Sequence, residues 1–590
     1  MPAHHRQRRR RGPGSWLASL GLALPLAAQS ADGPADAAQT VSAAIPPAAA
    51  AGSEQIGGDP AGTPPGLPDD TTPLGTLGPI RIERQDVFPD DSRAWLKRLA
   101  NATHWTSREQ TVRNEIWFKP GEVLTEAKLR ELERNLRATG LYAEARASVR
   151  PTAEPGVLEL VVETRDRLSL LAGAAGSTVG DVGSVSAGIT ESNFLGKGDR
   201  LGIDYRENTE GEFAGGVSYR DRYVFDRFLR FDARAATTEE GDQLRLRLER
   251  PLQHLRDRWS WRAEVSSFDT IVDYFEGGDA VVEVPEAVED LAFGLQRAYG
   301  PPDKRLRLGL STRYTDRRYG PAEGPQAGSI EVPGDTRGLF VGPLVGFDRA
   351  KAFNRETNLD TLGFVQDLRL GYAFELLVGG LYRDEEGAEQ GLQPQAFLET
   401  NFSAQPWRGS YLTATAGGSL RSDGSEAVGW LADASVHGYL LLPKGHTLAS
   451  SLTFDQAFES QDLPIELTLG VDNGLRGYPT REFAGERRFQ LNLEDRWDTG
   501  LDFAEFNLGL VGFYDAGLIA ELDQEFGPLL HAVGFGLRLG SPSILGSTVL
   551  RMDVGFPLYE PDGADYGPTI SLGTGQVFSF FGRQAALATR

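Results

Sequence analysis

Seven histidines, His4, His5, His104, His254, His437, His446 and His531, are the side chains best suited to hold a metal, and no cysteine accompanies them. A helical zinc site needs H-x-x-x-H or H-E-x-x-H spacing so that both rings leave one face, and no pair here has it. Nucleophilic hydrolysis would call for a G-x-S-x-G elbow. GAAGS and AGGSL are instead glycine-rich stretches in strand-like surroundings. LGKGD lacks the phosphate-loop spacing, and GFGLRLG departs from a dinucleotide fingerprint and sits in an alternating pattern. The adjacent acids Asp90–Asp91, Glu239–Glu240 and Glu385–Glu386 read as solvated loop charges. The spacing of these residues predicts no catalytic centre, no metal and no cofactor, so the chain is not read as an enzyme.

One cation asks for another explanation. In DNGLRGYPTREFAG (472–485), Arg476 stands between Leu475 and Gly477, with Tyr478 and Pro479 directly after. A surface turn needs Asn, Gly and Pro, but neither the arginine nor the aromatic ring. What Arg476 does depends on the elements around it.

The first thirty residues resemble an export signal. Arginines at 6 and 8–11 precede the apolar run WLASLGLALPLAA (16–28), and small residues follow. The run is too short to span a bilayer comfortably. Removing residues 1–30 would take away five arginines and no acid, moving the formal charge from −23 to −28. So acidic a chain is not expected to bind nucleic acid. The absence of cysteine fits an exported protein. Residues 31–76, rich in Ala, Pro, Gly and Thr, read as a flexible linker.

Residues 79–165 change to a small α/β unit of strand, helix, helix, strand, strand. Thr106 and Glu109 have capping-box spacing. Thr125 is placed to cap EAKLRELERNLRATG, with Leu129, Leu132 and Leu136 on one face and Gly140 as its stop. From 166 to 582, segments such as LRLRLERPL, RLRLGLSTRY, YLTATAGGSL and FQLNLEDRW alternate apolar with polar residues, often with Trp or Tyr near their ends. No fixed repeat appears, and over four hundred residues of strands exceed one sandwich core. A membrane barrel with polar residues inside and apolar ones outside is the expected architecture.

Several motifs then agree. ESNFLGKGDRLGIDY (191–205), LRGY (475–478), LVGFYDAGLI (510–519), GFGLRLGSPSILGSTVLRMDVGFPL (534–558) and the closing GQVFSFF (575–581), with the unit 79–165 ahead of them, resemble the superfamily of POTRA-plus-barrel outer-membrane transporters. That superfamily includes the BamA and TamA assembly proteins, bacterial surface antigens and two-partner secretion pores. The resemblance implies a mainly β chain: a sixteen-stranded antiparallel transmembrane barrel over 166–582 with one periplasmic α/β POTRA domain, in the outer membrane of a Gram-negative cell. It implies that the 472–485 loop folds back into the lumen. Gly474, Leu475, Arg476, Gly477 and Tyr478 then form a lock whose wall partners are Asp515, with Gly517 beside it, and less directly Asp553. Gly575, Phe578 and Phe581 would mark an aromatic-ended terminal strand that meets the first strand at a seam. The implied partners are outer-membrane lipid, an unfolded or extended polypeptide client taken at the POTRA sheet edge, and accessory periplasmic proteins. The implied function is insertion or translocation of polypeptide. A passive channel or surface antigen, or lipid transport, is the alternative. One POTRA domain is fewer than the assembly members carry, which leaves fewer edges for client docking.

Overall fold

The computed structural model describes residues 73–580 apart from 90–94, 180–181, 209–212, 240, 253, 388–389, 504, 562–563 and 565. The signal (1–30), the linker up to 72 and Phe581 lie outside the described residues.

The N-terminal unit is built from β1 (Pro73–Gln85), α1 (Trp95–Thr103), α2 (Glu109–Asn114), β2 (Val123–Thr125), α3 (Glu126–Ala138), β3 (Tyr142–Pro151) and β4 (Val157–Asp166). Its sheet has the order β2-β1-β4-β3, with β1 and β4 parallel. Thr125 caps α3 by accepting a hydrogen bond from the Lys128 amide, and Leu129, Leu132 and Leu136 are buried against Leu77, Phe118, Leu160 and Val162. The backbone leaves the helix at Gly140, φ +68°. Three expectations are corrected. β1 starts at Pro73, inside the stretch read as linker. α1 is an additional helix. The capping box does not form: α2 is preceded by Arg108, whose side chain makes no capping bond, because Ser107 is tied to the buried Asp166 carboxylate instead.

The remaining strands form one antiparallel sheet in chain order. They are β5 (Leu170–Val179), β6 (Val182–Phe194), β7 (Asp199–Asn208), β8 (Phe213–Asp221), β9 (Arg230–Thr238), β10 (Asp242–Arg250) and β11 (Trp259–Glu276). Next come β12 (Asp279–Tyr299), β13 (Lys304–Tyr319), β14 (Thr336–Glu356), β15 (Gln366–Glu385), β16 (Gly391–Ala404), β17 (Ser410–Ser422), β18 (Ala427–Leu441) and β19 (His446–Glu459). A small pair, β20 (Leu467–Leu469) with β21 (Phe483–Gly485), interrupts the series. The sheet resumes with β22 (Arg487–Phe503), β23 (Phe506–Ala520), β24 (Leu530–Gly540), β25 (Val549–Pro557) and β26 (Thr569–Thr574). Its end strands meet at one register pair, Ile570 with Thr178.

The sheet has twenty strands where sixteen were expected. Short connections account for the difference. β11 and β12 are joined by Gly277 and Gly278 alone, and β12–β13 and β18–β19 by four residues each. The residues allotted to long loops are spent on additional strands.

The faces of this sheet are inverted relative to a protein folded in water. Along β13, Arg305 and Arg307 are 5% and 2% exposed, whereas Leu306, Leu308 and Leu310 are 40–52% exposed. Arg305 and Arg307 pair across the interior with Asp348 of β14, and Arg307 also with Glu375 of β15. Period-2 alternation puts the two sets on opposite faces, and rows of outward leucine are stable only where the surroundings are themselves apolar.

Candidate functional site

The loop between β19 and β22 folds inward, held at its base by the β20–β21 pair. Gly474 and Gly477 make its bends, with φ +90° and +104°. A β-carbon on Gly477 would also stand 2.6 Å from the Ala532 β-carbon, so both conformation and space require glycine there. Between them Arg476 is 1% exposed. Its Nε and Nη2 donate to the two carboxylate oxygens of Asp515 on β23, at 2.7 and 2.9 Å, a fork-to-fork pair. Nη1 lies 2.7 Å from Glu494 on β22 and 3.3 Å from Asp553 on β25. The guanidinium also stacks over the Phe513 ring at 3.5 Å.

Other loop residues are fixed by the same wall. Asn492 donates to both Asp515 and the Gly474 carbonyl, each at 2.7 Å. Leu475 is buried with Leu469, and Gly517 leaves room for both side chains. The Tyr478 hydroxyl donates to the Tyr559 carbonyl at 2.8 Å and accepts from the His531 amide at 3.0 Å. The Gly477 amide donates to Thr569 on the last strand at 2.9 Å. One short loop therefore bridges β22 through β26, the strands nearest the seam.

Arg476, Asp515 and Asp553, the group that the resemblance implies, lie in contact here. Sequence reasoning missed Glu494, and with it Arg496 and Arg538. Arg496 pairs with Glu494 at 2.8 Å and Arg538 with Asp553 at 2.6 Å. Their signal was present: in NLEDRW the alternation that turns Leu493 outward turns Asn492, Glu494 and Arg496 inward. With Arg551, 3.7 Å from Asp553, and Asp360, 3.4 Å from Arg496, four arginines balance four acids in a water-poor interior, the arrangement under which buried charge is tolerated.

A second layer closes the interior at the end nearest the N-terminal unit. The β14–β15 connection (357–365) crosses the ring. Asn358 donates to Asp498 on β22 at 2.9 Å, and Leu362 packs against Gly509 and Gly540 on β23 and β24. Asp360 accepts from the Phe580 amide at 2.8 Å, and Arg496 donates to the Phe578 carbonyl at 2.9 Å. Here the terminal-strand expectation is corrected. β26 ends at Thr574, the backbone turns at Gly575 (φ +77°), and Phe578 and Phe580 enter the interior against Tyr411, Tyr439 and His437. Backbone amide and carbonyl partners supplied by Asp360 and Arg496 make the inward path favourable over continued pairing.

The N-terminal unit docks beneath this layer. Arg137 on α3 makes two 2.8 Å hydrogen bonds to Asp367 on β15, both side chains buried. Trp117 stacks on His254 at 4.8 Å, and Thr111 and Arg108 donate to the Gly196 carbonyl at 2.8 Å each. Glu131 accepts from the Leu255 amide at 2.9 Å, and burial nevertheless raises its carboxyl above the ordinary range.

Comparison with protein-family profiles returns no match. A curated relative, the "putative outer membrane protein assembly factor" of Treponema pallidum (strain Nichols), is 25% identical over 112 residues, 18% of this chain and 13% of that protein. The chain thus matches only a small part of that relative's length. Among solved structures, BamA from Haemophilus ducreyi lacking POTRA domains 1–3 aligns over 84% of both chains at 14% identity and a TM-score of 0.37. CdiB from Escherichia coli aligns over 85% of this chain and 76% of its own at 13% identity and a TM-score of 0.42. BamA and CdiB are therefore this chain's structural neighbours.

Proposed function

We propose that this protein is an outer-membrane transporter that inserts or exports polypeptide, using a closed transmembrane barrel of twenty strands and one periplasmic POTRA-like domain. The inverted sheet carries the reading. An outward apolar face and an inward ionic face, over a ring whose backbone groups pair strand to strand, suit a bilayer and no other solvent.

In this account Arg476 and its three carboxylates hold the lumenal loop against the strands next to the seam. A client in extended form is taken at the free edge of β3, the longer of the two edge strands in the β2-β1-β4-β3 sheet, by strand addition. The lumen is occupied at two levels, by 467–485 and by 357–365 with 575–580, which favours a transporter over a passive open channel.

Depletion in the native Gram-negative host, followed at early times by quantitative proteomics of outer membrane and medium, tests the reading. Selective loss of a few barrels or exported proteins is expected. An unchanged proteome with an early defect in lipid asymmetry would replace the polypeptide reading with lipid transport.

A further inference from the structure

α1 has two stripes at helical spacing. Lys97, Asn101 and His104, just past its end, face the protein: Lys97 pairs with Glu505 at 2.6 Å, Asn101 bonds both the amide and the carbonyl of Phe88, and His104 bonds Asp166. Trp95, Leu99 and Ala102 fall on the opposite face. Trp95 is 65% and Leu99 50% exposed. Arg98 is exposed beside them, and the helix, WLKRLANAT, holds two basic residues and no acid.

The place of this stripe identifies what covers it. The Lys97–Glu505 pair pins α1 beside the β22–β23 turn, and Phe503, where β22 ends, is 81% exposed. Trp259, Tyr299, Trp407 and Trp497 are likewise exposed near the strand ends on this side of the sheet, an aromatic rim. Such rims mark the water–lipid boundary of barrels. A Trp-bearing apolar stripe with a neighbouring arginine, at the same end of the sheet as that rim, has the chemistry of a helix lying in the headgroup layer.

We propose that α1 is an interfacial anchor, with Trp95, Leu99 and Ala102 toward the acyl chains of the periplasmic leaflet and Arg98 on its phosphates. The inference rests on the outer-membrane reading above. It gives the N-terminal domain an attachment to lipid in addition to its protein contacts, and holds that domain beside the β22–β23 hairpin.

The chain contains no cysteine, so single labels are unambiguous. Nitroxide is attached to Leu99→Cys, Phe503→Cys and Glu154→Cys in the full chain, reconstituted in phosphatidylethanolamine–phosphatidylglycerol vesicles. Collision with oxygen and with a water-soluble nickel chelate is then measured. Labels at 99 and 503 should both favour oxygen, and the label at 154, on an exposed turn, should favour nickel. A nickel-accessible label at 99 with a lipid-exposed label at 503 overturns the anchor and leaves the barrel intact. A nickel-accessible label at 503 overturns the membrane reading and the anchor with it. A second variant of the full chain, Trp95→Asp with Leu99→Asp, should speed amide exchange across α1 in vesicles, whereas Glu154→Asp, on an exposed turn, should leave it unchanged. Equal exchange in this variant and the parent chain in vesicles would also overturn the anchor.

Discussion

Arg476→Met keeps an unbranched apolar stem but removes the guanidinium, and with it every side-chain donor and the contact over the Phe513 ring, leaving Asp515 the 3.2 Å bond from the backbone amide of residue 476. Asp515, Glu494 and Asp553, whose side chains are 0–1% exposed, then share Arg496, Arg538 and the more distant Arg551. Stranding one buried carboxylate in this way costs about 3–5 kcal/mol. Asp515→Asn alone leaves Arg476 two acids and keeps an acceptor, so its loss is smaller, about 1–3 kcal/mol. In the double variant the charges balance again, and it should be no less stable than Arg476→Met. The assay is a double-mutant cycle on urea unfolding in phospholipid vesicles, followed by tryptophan fluorescence. The predicted coupling is at least about 1 kcal/mol, and losses that add to within about 0.5 kcal/mol would refute the reasoning, because independent sites add to that tolerance.

Three further outcomes follow from other parts of the molecule. Gly477→Ala should displace the loop, since φ +104° and the 2.6 Å approach to Ala532 both oppose a β-carbon; a loss of about 1–3 kcal/mol is expected in the same unfolding assay. Truncation before Gly575 removes Phe578 and Phe580 from the lower layer, and single-channel conductance in planar bilayers should rise above that of the full chain. Docking of the N-terminal unit should weaken with rising pH. A carboxyl whose pKa is higher docked than free favours docking below the free value of 4.5, and that contribution is lost as pH rises through the docked value. Protease release of the unit should show this slope, and Glu131→Gln should flatten it.

Much of this was legible because it depends on local chemistry. α3 could be read whole: its cap, its leucine stripe and its glycine stop all act within one helix. Arg476 and Asp515 were legible through the resemblance that LRGY and FYDAG carry, which implies their pairing, and a bidentate carboxylate is what a desolvated guanidinium requires. Glu494 was hidden by attention to motifs, although the inward alternation of its strand exposes it. The strand count failed because the chain spends its residues on hairpins as tight as Gly277–Gly278. The fate of Phe578 could not be read locally at all. It is decided by Asp360 and Arg496, distant residues that meet only once the ring has formed. α1 escaped notice for a related reason, since nine residues with Trp and Leu facing outward do not read as a stable helix in water.

The central claim is that this barrel handles polypeptide and that the Arg476 lock shapes the part that does so. The most direct test is to reconstitute the purified chain in vesicles and follow the folding of a denatured outer-membrane barrel protein into them by its heat-modifiable mobility. The account predicts folding faster than in empty vesicles, with the gain lost in Arg476→Met under conditions where that variant remains folded. Equal rates in loaded and empty vesicles across a panel of denatured barrels and exported substrates, none of them translocated, would contradict it.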